Sequence, residues 1–77
     1  MEEQSVNPEY VVDARGLEPP EPFERTMEML DRLPDGEKML LLLYREPHPL
    51  FRVLSRNGYQ HAVELGEDGT YAIRIWR

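Results

Sequence analysis

Gly16-Leu17-Glu18-Pro19-Pro20-Glu21-Pro22-Phe23 is the stretch on which the fold turns, because it joins a short strand to an amphipathic helix. On its N-terminal side, Glu9-Tyr10-Val11-Val12-Asp13 is β-branched and aromatic, as a short strand would be, with Asp13 leaving the sheet. Ala14-Arg15-Gly16-Leu17 makes the turn out of it, and Gly16 supplies the backbone freedom. On the other side a helix is expected to begin near Pro20. The first N–H groups of a helix have no intrahelical partner, so proline loses nothing there, and Pro22 is tolerated in the same turn. Phe23, Met27, Leu30 and, one step off, Leu33 follow at helical spacing and are expected to face inward. Glu24, Arg25, Glu28, Asp31 and Arg32 take the other face. The acid-first pairs Glu21–Arg25 and Glu28–Arg32 add roughly 0.2–0.5 kcal/mol each. Pro34-Asp35-Gly36 ends the helix in a turn.

Further on, Lys38-Met39-Leu40-Leu41-Leu42-Leu43-Tyr44 does not alternate, and a short apolar run between turns predicts a strand in the middle of a sheet. Pro47-His48-Pro49 opens a second helix with Leu50, Phe51, Leu54 and Val53 inward, and Asn57-Gly58 stops it. Tyr59, His61, Val63 and Leu65 alternate with polar or small residues in a half-buried strand. Gly66-Glu67-Asp68-Gly69 connects this strand to a last one, in which Tyr71, Ile73 and Ile75 alternate with Ala72, Arg74 and Trp76. The order β-α-β-α-β-β predicts an α/β (α+β) two-layer sandwich, a four-stranded mixed sheet with both helices on one face. Residues 1–8 read as a flexible polar arm and residues 9–77 as one domain.

A chain of 77 residues buries roughly 60% of its unfolded surface, which predicts one modest core and no deep cleft. It has no cysteine, hence no disulfide, no thiolate metal site and no sulfur nucleophile. The formal charge of −6 repels phosphate backbones and argues against nucleic-acid binding. The acidic start lacks the build of a signal peptide, and no apolar run is long enough to cross a bilayer, so a cytoplasmic protein without a membrane role is expected.

Gly16-Leu17-Glu18-Pro19-Pro20-Glu21-Pro22 resembles the Gly-Leu-x-Cys-Pro-x-Pro signature of the TusA/SirA-like sulfur carriers, whose element order is the same. The chain is most similar to a cysteine-less branch, the bacterial domain of unknown function family 2249. That similarity lies at Asp13-Ala14-Arg15, Leu33-Pro34-Asp35-Gly36-Glu37 and Pro47-His48-Pro49-Leu50. The resemblance implies the fold and no established activity. Where a sulfur carrier holds its persulfide on cysteine, this chain has Pro19, which offers neither nucleophile nor N–H. Where many relatives resemble Asp-His-Asp-Pro, this chain reads Tyr44-Arg45-Glu46-Pro47, with Arg45 in place of the histidine.

Free N–H groups and the dipole make a helix start attractive to anions. Here Pro19, Pro20 and Pro22 remove N–H groups while Glu18 and Glu21 supply negative charge, so phosphate and persulfide are disfavoured. The two acids are expected to stabilise the helix or to form a docking lip for a basic partner. His48 and His61, the only histidines, could ligate a metal together with Glu46 or Glu64, although their spacing does not favour it. Tyr10, Tyr44, Tyr59 and Tyr71 have no interleaved basic residues and are expected at the core's edges. Trp76, out of register with Ile73 and Ile75, is expected exposed on the open sheet face beside the central leucines. The expected function is therefore a non-catalytic protein-interaction module without a cofactor. It would bind another protein through the Trp76 face or the Glu18–Glu21 lip. The alternative is a metal- or redox-linked ligand-binding protein using His48 or His61.

Overall fold

Five consecutive apolar residues, Met39–Leu43, form the strand β2, which lies inside the sheet. The other elements are β1 (Val11–Asp13), α1 (Glu21–Arg32), α2 (His48–Arg56), β3 (Gln60–Leu65) and β4 (Tyr71–Trp76). This is a computed structural model, and it describes residues 7–77. The sheet order is β1-β2-β4-β3, with β1 and β2 parallel and the other pairs antiparallel. An inner strand has neighbours on both edges, so its faces decide its composition. Met39, Leu41 and Leu43 are buried on one face, and Leu40 and Leu42 are half-buried on the other. Leu40 and Leu42 are partly covered by their cross-strand neighbours Arg74 and Ala72, so apolar residues stand on both faces and the run does not alternate.

Both helices pack on the Met39–Leu41–Leu43 face. Met29 and Leu30 of α1 and Leu50 and Leu54 of α2 meet Val12, Ile73 and Ile75 there in one core. The expected four-stranded sheet with two helices on one face is the observed architecture.

The inward face of α1 differs from the expected stripe. Thr26, Met29 and Leu30 are buried, Met27 and Leu33 pack at the margin, and Phe23 is 39% exposed. Phe23 lies in the first turn of α1 and is not part of the buried core cluster. Thr26 is fully buried because its hydroxyl donates to the Pro22 carbonyl at 2.8 Å and leaves no polar atom unpaired. Of the two ion pairs expected along α1, Glu21–Arg25 closes at 3.1 Å, while Glu28–Arg32 does not form among the described residues.

The half-buried alternation expected of β3 also gives way. His61 is covered by the Phe51 ring of α2, stacked at 4.4 Å, but Val63 is 39% and Leu65 60% exposed. β3 is an edge strand that outruns the helix above it. At the other end, the strand expected from Glu9 begins at Val11. Asn7 Oδ1 accepts the Glu9 N–H at 2.9 Å and Pro8 opens a 3₁₀ turn over Pro8–Tyr10. Most of the arm expected over residues 1–8 lies outside the described residues.

Gly58 ends α2 with φ +83°, its N–H donating to the Ser55 carbonyl and the Tyr59 N–H to the Leu54 carbonyl. This is the left-handed cap that glycine adopts without penalty. A Cβ added there would meet open space, so Gly58→Ala probes the backbone alone. We expect it to cost ~1 kcal/mol and lower the melting temperature by about 4–8 °C, followed by circular dichroism. An unchanged midpoint would contradict the cap.

Candidate functional site

Because β1 and β2 run parallel, their C-terminal ends emerge on the same side of the sheet, and there the chain turns into α1 and α2. Parallel strands commonly present ligand sites at this end. A groove of about 680 Å³ lies between the two helix starts, within the ~300–1,000 Å³ typical of ligand pockets. Ala14, Leu41, Leu43 and Leu50, all buried, form its floor. Leu17, Pro19, Pro22 and Phe23 line one wall, and Tyr44, Pro47 and Pro49 the other. Glu18, Arg45 and Glu46 are its charged lining residues, all exposed. No deep cleft was expected, and the groove is an open one with exposed walls, but the sequence did not foretell it. The groove forms between two segments far apart in sequence, and chain length says nothing about how such segments stand off from one another.

Of the motif, Gly16, Leu17, Glu18, Pro19, Pro20 and Pro22 line this groove, whereas Glu21 does not. The Glu21 carboxylate turns to Arg25 and borders a separate polar depression with Asp13 and Glu24. The Glu18–Glu21 lip expected as one acidic edge is divided between two surfaces.

The helix starts are closed to anions more completely than the sequence suggested. At α1 the Glu21 N–H donates to the Glu18 carbonyl (3.0 Å), Pro22 has no N–H, and the Glu24 N–H donates to Pro20 (3.0 Å). Only the Phe23 N–H is left without a backbone partner in that turn. At α2 the His48 N–H donates to Glu46 (3.1 Å), Pro49 has none, and the Leu50 and Phe51 N–H groups donate to Pro47 (3.0 and 3.2 Å). No N–H of that first turn remains free. Both helices carry proline at the cap and again within the first turn, as Pro20 and Pro22, and as Pro47 and Pro49.

A family model described as "Uncharacterized conserved protein (DUF2249)" matches residues 11–77. The chain belongs to that family. The match takes in every strand and helix of the sheet domain. No curated protein and no solved structure matches the chain.

The two histidines of this DUF2249 domain both lie against the Phe51 ring, His48 edge-on at 5.9 Å and His61 stacked at 4.4 Å. His48 Nε2 is 3.4 Å from Glu46 Oε1. Among the described residues no three His, Cys, Asp or Glu side chains are grouped to hold a metal ion.

Trp76 is half-buried, with Lys38 Nζ 4.7 Å from its ring centroid, so the expected exposed Trp is corrected. Lys38 lies just before β2, directly across from Trp76 in the register, and its cation is drawn to the ring face. The same open face carries Leu40, Leu42, Ala62 and Ala72, all half-buried, and Arg74, which reaches Glu64 at 3.5 Å. Two cations therefore interrupt the apolar patch. Of the tyrosines, Tyr10, Tyr59 and Tyr71 pack at the core's edge as expected, but Tyr44 is 57% exposed on the groove.

Sequence reasoning passed over the clip that leads into the groove. Arg15 donates from Nε to Asp13 Oδ1 (2.9 Å) and from Nη2 to Oδ2 (2.8 Å), and its backbone N–H donates to Oδ1 (3.2 Å). The side-chain hydrogen bond from Arg15 is the main cause that holds the Asp13 carboxyl at about 2, below its ordinary 3.8. Because the folded value is the lower one, the contribution to stability is present above 3.8 and is lost as pH falls through about 2. A carbon-detected NMR titration should place the Asp13 midpoint near 2 and return it towards 3.8 in Arg15→Gln. An unshifted midpoint in the variant would show that the clip does not form.

Proposed function

We propose that this DUF2249 domain is a small non-catalytic interaction module that docks a segment of a partner protein in the groove between its helix starts. The observation that carries the reading is a preformed apolar groove, lined by Gly16–Pro20 and Pro22 of the motif, in a chain that has no cysteine. Sulfur relay needs a thiolate, and the chain has no cysteine. Kinship with the TusA/SirA-like carriers would account for a motif kept at the helix start with Pro19 in the cysteine's place. A cytoplasmic location goes with this reading. A buried small molecule is the less suitable occupant, because such ligands lose ~70–90% of their surface to a pocket. Here the walls at Pro19, Phe23, Tyr44 and Pro49 are themselves exposed.

The groove is favoured over the open sheet face because Lys38 and Arg74 interrupt the apolar surface around Trp76. The metal- or redox-linked alternative has the His48–Glu46 contact in its support, and zinc titration followed on the histidine ring signals tests it. For the leading reading, a photo-cross-linking amino acid is placed at Tyr44 in one variant and at Gln60 in another, within cells. Capture of one defined partner from position 44 and not from 60 is the expected result. Capture from 60 alone would move the site to the open face.

A further inference from the structure

The groove occupies the place where helix starts ordinarily attract anions, yet it is built against them. Two helix N-termini converge on it, and their dipoles place partial positive charge at its edge. An anion would need free N–H groups to exploit that charge. The prolines at positions 20, 22, 47 and 49 and the local carbonyls of Glu18, Pro20, Glu46 and Pro47 leave only the Phe23 N–H of these two first turns available. The exposed charges on the lining are Glu18 and Glu46 against the single cation Arg45, in a chain of net charge −6. An acidic occupant would thus meet two carboxylates, almost no backbone donors and an unfavourable overall field. A basic one would find carboxylates beside an apolar floor.

Resting on the reading of this groove as a docking site, we propose that it takes a partner segment whose apolar side chains are flanked by lysine or arginine, and that it rejects acidic segments. The apolar residues sit over Leu41, Leu43 and Leu50 between Leu17, Phe23 and Tyr44. The basic flanks meet Glu18 and Glu46. The area supplies attraction and the carboxylates supply choice.

The test uses three peptides of one length, acetyl-Lys-Leu-Leu-Leu-Lys-amide and its Gln- and Glu-flanked counterparts. Each is titrated into the ¹⁵N-labelled protein at low salt. Exposed ion pairs contribute ~0.2–1 kcal/mol each, so two of them predict the Lys peptide binding several-fold tighter than the Gln peptide. The Glu peptide should bind most weakly, and Glu18→Gln with Glu46→Gln should erase the order among the three peptides. Both substitutions are at exposed positions and conserve shape, so folding is preserved. Equal binding of all three peptides at the groove, or tightest binding of the Glu peptide, would overturn the charge choice and leave the groove standing. Failure of all three to shift any groove amide would overturn the docking site itself. n-Octylamine shifting the same amides as strongly as the Lys peptide would overturn the assignment to a polypeptide and point to a small cationic amphiphile.

Discussion

Leu41→Ala should remove ~2–5 kcal/mol of stability, much of what a domain this small possesses. Leu41 is fully buried in the middle of β2 and pairs with Val12 on one side and Ile73 on the other. It touches the layer into which Leu30, Leu50 and Leu54 descend from the helices. Truncation leaves a cavity that no neighbour can fill without pulling a strand out of register. Leu40→Ala, one residue earlier and half-buried on the open face, should cost less than half as much. Urea unfolding followed by Trp76 fluorescence compares the two. Equal losses would contradict the assignment of the core to the helix side of the sheet.

Phe23→Ala should shift the balance, with a large loss of binding and a smaller loss of stability than Leu41→Ala. Phe23 is 39% exposed, packs on the groove wall and is not among the residues packed against the core. Truncating an aromatic anchor in a groove commonly costs ≥2 kcal/mol of affinity, ~30-fold. The melting temperature should fall by less than in Leu41→Ala, since more than a third of Phe23 stays in water in the fold whereas Leu41 is fully buried. Affinity for the partner captured at position 44, or for the Gln-flanked peptide, measures the first, and thermal unfolding the second. A Phe23→Ala protein that melts far lower would place the ring in the core, as its helical spacing alone suggested.

What the sequence made legible was local. The apolar run Met39–Leu43 and the stop at Asn57-Gly58 depend on neighbours a few residues away, and both elements form where expected. The exposure of Val63 and Leu65 was not legible, because it depends on β3 lying at the edge beyond the cover of α2. Thr26 was passed over because its burial rests on one hydrogen bond to Pro22, which spacing does not reveal. Trp76 was assigned to the correct face, but its cover by Lys38 arises from cross-strand register. The groove was the largest omission. Half of it was in view as a motif at residues 16–23, and the other half is the Tyr44–Leu50 segment brought beside it by the parallel pairing of β1 with β2.

The most direct test of the central claim is to map where the Gln-flanked peptide acts on the ¹⁵N-labelled protein, because it carries no charge to bias the outcome. A groove that serves as the docking site predicts saturable amide shifts at Leu17, Phe23, Tyr44 and Leu50, with Leu40, Leu42 and Trp76 unmoved. Shifts centred on Leu40, Leu42, Ala72 and Trp76 would contradict it and make the open sheet face the binding surface.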